Sequence, residues 1–73
     1  MSDLHEEVVD LHQVVATPLG WEVTCYQSPL RLILPADQAQ TLPDLQRCLV
    51  DEVPVRLRWD SESLVILDWS LER

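Results

Sequence analysis

His5, His12, Cys25 and Cys48 are the residues of this 73-residue chain whose side chains bind metals or do thiol chemistry. Read on a helix, His5 and His12 are seven residues and roughly 10.5 Å apart along the axis, too far to share one ion. Neither cysteine has a second ligand beside it, and the two do not form a CxxC pair. A thiol- or metal-dependent protein would need folding to converge four separated residues. Burial in the core is the expected role of both cysteines instead. Asp60 and Glu62 are the nearest approach to paired carboxylates, but a polar turn keeps both hydrated and ionised. A single glycine leaves no material for a phosphate-cradling loop, and no nucleophile elbow is present. The expectation is a protein that is not an enzyme and uses no catalytic residues, no cofactor and no metal.

Recognition chemistry is better represented than reaction chemistry. The stretch Val55–Trp69 reads as two β-rich runs around a polar Asp60-Ser61-Glu62-Ser63 turn, a strong hairpin signal. Pairing Asp60 with Ser63 sets Trp59 opposite Leu64, Leu57 opposite Ile66 and Arg56 opposite Leu67. Alternation then sends Val55, Leu57, Trp59, Leu64 and Ile66 to a core face, and Arg56, Arg58, Val65, Leu67 and Trp69 to an outer face. An outer face that is apolar and cationic at once, with tryptophan and arginine prominent, is the expected partner-binding surface, extended by Tyr26 and Arg31.

The elements that must position this surface follow from periodicity. Residues 3–16 predict a helix, with Asp3 and Glu6 as a capping box and Leu4, Val8, Leu11 and Val15 as its apolar stripe. Residues 21–34 predict a hairpin whose core face carries Trp21, Val23, Cys25, Leu30, Leu32 and Leu34. Thr41 and Pro43 mark the start of a short helix through Leu45, Cys48 and Leu49 to about Glu52, and Pro54 stops it. The order is α-β-β-α-β-β. The expected fold is α+β, a two-layer sandwich with a four-stranded antiparallel sheet and both helices on one face, in a single small domain spanning residues 1–73.

Charge bounds the partner. Thirteen acidic residues against five arginines and no lysine give a formal net charge of −8. Such a field repels nucleic acid and anionic membrane and favours basic protein surfaces. Asp3, Glu6, Glu7 and Asp10 on the first helix would steer encounter with such a surface. The acidic N-terminal stretch has no apolar core of a signal peptide, and the isolated thiols suit a reducing, cytoplasmic setting. Together these features describe a small acidic adaptor, inhibitor or accessory subunit. A phage- or plasmid-type regulator of a basic nucleic-acid enzyme, such as RNA polymerase or a nuclease, is the most specific version. The alternative is structural: a homodimer or subunit that pairs through the outer face, has no regulatory role of its own and gains burial a chain this short needs.

Overall fold

The computed structural model describes residues 3–72. Six strands are formed: β1 (Leu4–Val9), β2 (Leu11–Thr17), β3 (Gly20–Cys25), β4 (Arg31–Pro35), β5 (Val55–Asp60) and β6 (Ile66–Leu71). A 3-10 segment over Ala36–Thr41 runs into the single α-helix of the described residues, α1 (Leu42–Asp51). The strands make two three-stranded antiparallel sheets, ordered β1-β5-β6 and β2-β3-β4. The fold remains broadly α+β. The four-stranded sheet under two helices is overturned.

The first expected helix is the larger correction, since residues 3–16 form β1 and β2. Val8, Val9, Val14 and Val15 are stiff at χ1 and favour strands, and tertiary pairing decides the matter against the helical spacing. His5, Glu7 and Val9 lie opposite Trp59, Leu57 and Val55, while Glu6 and Val8 lie opposite Arg58 and Arg56. Polar and apolar residues thus occur on both faces of β1, which hides its period of two.

Asp10 is the only residue between β1 and β2, and there the chain leaves one sheet for the other. Its carbonyl accepts from the Tyr26 amide at 3.0 Å. Its own amide donates to Gln27 Oε1 at 2.8 Å, and Gln27 Nε2 donates to Asp10 Oδ2 at 2.7 Å. At the far side, Ile33 of β4 donates to the Leu64 carbonyl at 2.8 Å and forms an isolated parallel bridge with Val65. The two sheets are thus linked by the chain at Asp10 and by the Ile33–Val65 bridge at the far side.

The core is contributed by both sheets and α1: Val9, Leu11, Val23, Cys25, Leu32, Leu34, Leu45, Cys48, Val55, Leu57, Trp59 and Ile66 are buried. The first expected hairpin and the second expected helix are formed as β3, β4 and α1, but Leu30, expected on the core face, is exposed and Trp21 is half-buried. Thr41 is the N-cap residue of α1 but makes no side-chain cap bond. Its hydroxyl instead donates to the Gln38 carbonyl at 2.9 Å.

The register of the second hairpin departs from expectation. Trp59 pairs with Ile66, Arg58 with Asp68 and Leu57 with Trp69, because a bulge at Leu67 inserts one residue. The turn is also longer than two residues. Asp60 Oδ1 accepts from the amides of Glu62 and Ser63, and Leu64 takes the left-handed conformation at φ 61°. A shift of this parity moves Trp69 to the opposite face from Arg56 and Arg58.

Gly20 opens β3 with φ 143°, where a Cβ would collide with the Leu34 carbonyl oxygen. Both the backbone region and the contact exclude a side chain. Gly20→Ala is expected to destabilise the fold by ~3 kcal/mol and to lower the melting temperature by more than about 10 °C in a thermal scan. Gln27→Ala, which removes the clamp at the Asp10 corner, is expected to destabilise by ~1–2 kcal/mol in urea titration.

Candidate functional site

The outer surface of β1, β5 and β6 is an ion-pair network. Arg56 reaches Glu72 at 3.1 Å and Glu6 at 3.4 Å, and Arg58 reaches Asp68 at 3.0 Å and Glu6 at 3.7 Å. The hydrogen bond and charge of Glu72 come first in raising the Arg56 pKa above its usual value, and Glu6 adds to them. Exposed pairs of this kind add little stability, but they neutralise the arginines expected to meet a partner. Arg31 faces Glu22 at 3.8 Å and Arg47 faces Asp51 at 4.0 Å, so each described arginine has a carboxylate beside it.

The other residues expected at that surface are dispersed. Leu67 is the bulged residue and is exposed, whereas Val65 is half-buried beside Ile33 at the seam between the sheets. Tyr26, 72% exposed, stands at the opposite sheet beside His12, with ring centroids 4.9 Å apart. The acids of the first segment are equally spread. Glu6 is held by the arginines, Glu7 is half-buried on the Leu57 side of β1, and Asp10 is clamped at the corner. Asp3 is exposed, and its carbonyl accepts from the Ser61 amide at 2.9 Å.

The histidines stay apart as well. His5 lies 4.6 Å from the Trp59 ring of one sheet with the two rings tilted by 44°, and His12 lies 3.4 Å from Thr24 Oγ1 in the other. Among the described residues no group of three His, Cys, Asp or Glu side chains could hold a metal ion. Cys25 and Cys48 are both buried, and no disulfide joins them. Burial, with the Glu7 charge as a smaller cause, pushes the Cys25 thiol up to about 11, which keeps it protonated near neutral pH.

Trp69 belongs to a different feature. A groove of about 460 Å³ runs between α1 and β6, and its lining includes Trp69, Leu71, Val53 and Cys48 together with Asp44, Arg47, Asp51 and Asp68. The indole is half-buried, and its Nε1 donates to Thr41 Oγ1 at 3.2 Å, so the ring is held against the helix start. Three carboxylates and one guanidinium thus line the groove around an apolar floor, with Asp51 4.0 Å from Arg47 and the Asp68 carboxylate turned to Arg58 at 3.0 Å. Chemically, such a site can take an aliphatic stem with a cationic end: the stem on the indole, the charge among the carboxylates. Sequence reasoning missed the helix side of this groove. The signal was there, because Asp44, Arg47, Cys48 and Asp51 recur at i, i+3, i+4 and i+7 and so share one stripe of α1.

Comparison with protein-family models, curated proteins and solved structures returns no match. No helix among the described residues is long and apolar enough to cross a membrane.

The raised Cys25 pKa has a testable consequence. The thiol ionises near 9 when exposed and near 11 in the fold, so the unfolded chain loses this proton first as pH rises. Folding stability is therefore expected to decline between pH 9 and pH 11. Urea denaturation over that range should show a shallower decline for Cys25→Ala than for the unmodified chain.

Proposed function

We propose that this chain is a non-enzymatic protein-interaction module that docks a basic segment of a partner protein in the groove between α1 and β6. The observation that carries this reading is the fixed Trp69 indole in a groove whose helix wall bears Asp44 and Asp51, on a chain of net charge −8. Tryptophan anchors commonly dominate interface energetics, and a surrounding acidic field raises the encounter rate with cations. This moves the docking site from the arginine face of β5, where carboxylates already occupy the guanidinium groups, to the seam beside the helix.

Basic nucleic-acid-binding proteins, including nucleic-acid enzymes, form the partner class that suits this charge, with the chain acting as an inhibitor or accessory subunit in the cytoplasm. The acids outside the groove add long-range attraction and solubility. Self-association fits less well, since two copies of a chain at −8 repel each other.

Calorimetric titration with protamine tests the site against charge alone. Asp44→Lys reverses one charge in the groove, and Glu62→Lys makes the same change of net charge in the distant β5–β6 turn. Asp44→Lys is expected to weaken binding at least about tenfold, and Glu62→Lys less than about threefold. Equal losses would remove the groove from the reading, and equal affinity for protamine and a neutral protein would remove the reading itself.

A further inference from the structure

Asp68, Trp69, Ser70 and Leu71 are four consecutive residues of β6, and all four line the groove. The face of a strand offers only alternate residues, so a groove lined by a continuous run lies along the strand's edge. β6 is an edge strand of its sheet, with β5 on its one paired side. The Glu72 amide donates across to the Pro54 carbonyl at 3.2 Å, which orients Glu72 toward the chain leading into β5. Antiparallel alternation then turns the backbone groups of Ser70 and Asp68 toward β5, and those of Trp69 and Leu71 toward the groove.

The start of the same edge is already covered by a substitute for a strand. Gln38 Nε2 donates to the Ile66 carbonyl at 2.7 Å and to the Leu67 carbonyl at 3.2 Å. Beyond that point the edge continues past Trp69 and Leu71 with α1 standing off as the opposite wall. A row of outward-facing amides and carbonyls is a template for an added strand.

We infer that the partner segment docks in extended form, adding as a strand to β6 at Trp69 and Leu71 with a basic side chain beside Asp44. This rests on the proposed basic partner and specifies how that partner is held. Main-chain hydrogen bonds to the edge supply the affinity, and the acidic groove selects for arginine or lysine at alternate positions. The occupant is a basic peptide rather than a second copy of the chain, because the edge is flanked by carboxylates and the second copy is itself strongly acidic.

The probe is the peptide acetyl-Val-Arg-Val-Arg-Val-amide, compared with the same peptide N-methylated on alternate amides, which keeps its charge and blocks strand pairing. On binding, amide hydrogen exchange at Trp69 and Leu71 is expected to slow at least about tenfold, and N-methylation to weaken affinity by at least the same factor. Leu71→Pro removes one outward-facing donor while leaving the β5 ladder intact, and is expected to abolish peptide binding with the circular dichroism unchanged. If both peptides bind equally and Asp44→Lys weakens both, strand addition is overturned while the basic groove stands. If neither peptide binds, both readings fall. If sedimentation of the free chain shows a dimer that Leu71→Pro dissociates, the edge belongs to a second copy and the inference is overturned.

Discussion

The fold turns on one peptide unit at Asp10. Both sheets claim the N-terminal stretch, and a bend within a single residue lets them have it: β1 pairs with β5, β2 with β3. A bend there strips Asp10 of a regular strand neighbour, and Gln27 supplies the missing partner with a side-chain amide that both donates and accepts. The opposite seam is solved in the same currency. Gln38 bonds two carbonyls of β6 where no strand lies beside it. Two glutamine amides thus complete what backbone ladders leave unfinished, and each marks a place where regular strand pairing stops.

The charge distribution acquires meaning from this frame. On the outer surface of β5 the arginines and carboxylates are interleaved and largely cancel. Along the seam between α1 and β6 the helix wall presents Asp44 and Asp51, and the same seam carries the pinned indole and an edge of unladdered backbone. Shape, charge and hydrogen-bonding capacity coincide in one groove. That coincidence, rather than the total of −8, is what distinguishes it from a solubility coat.

Legibility in the sequence followed how local the deciding physics was. Pro43 and Pro54 bracket α1 because proline acts on its immediate neighbours, and the alternation of Val23, Cys25, Leu32 and Leu34 reports a sheet face directly. The N-terminal strands were illegible because β1 puts His5 and Glu7 on the same side as Val9, while Leu4, Val8, Leu11 and Val15 mimic a helical stripe. Only pairing with β5, some fifty residues away, resolves that ambiguity. The second hairpin failed for a subtler reason. Its strands were visible, but a left-handed Leu64 and a bulged Leu67 reset the register, and no glycine or asparagine announces either. Trp69 therefore changed faces, which separated it from the arginines and placed it in the groove.

The pairing of β1 with β5 sets the terms on which the chain can be made. Leu4 meets Asp60 and Val9 meets Val55, so β1 leaves the ribosome well before the strand it pairs with and waits for it. At synthesis rates of roughly 5–20 residues per second, that wait lasts on the order of several seconds. During it, a valine-rich segment has both edges open, and the closure that ends the wait is of the non-local kind that folds slowly. The carboxylates of that segment, Glu6, Glu7 and Asp10 among its valines, make like-charged nascent chains repel one another while those edges are open.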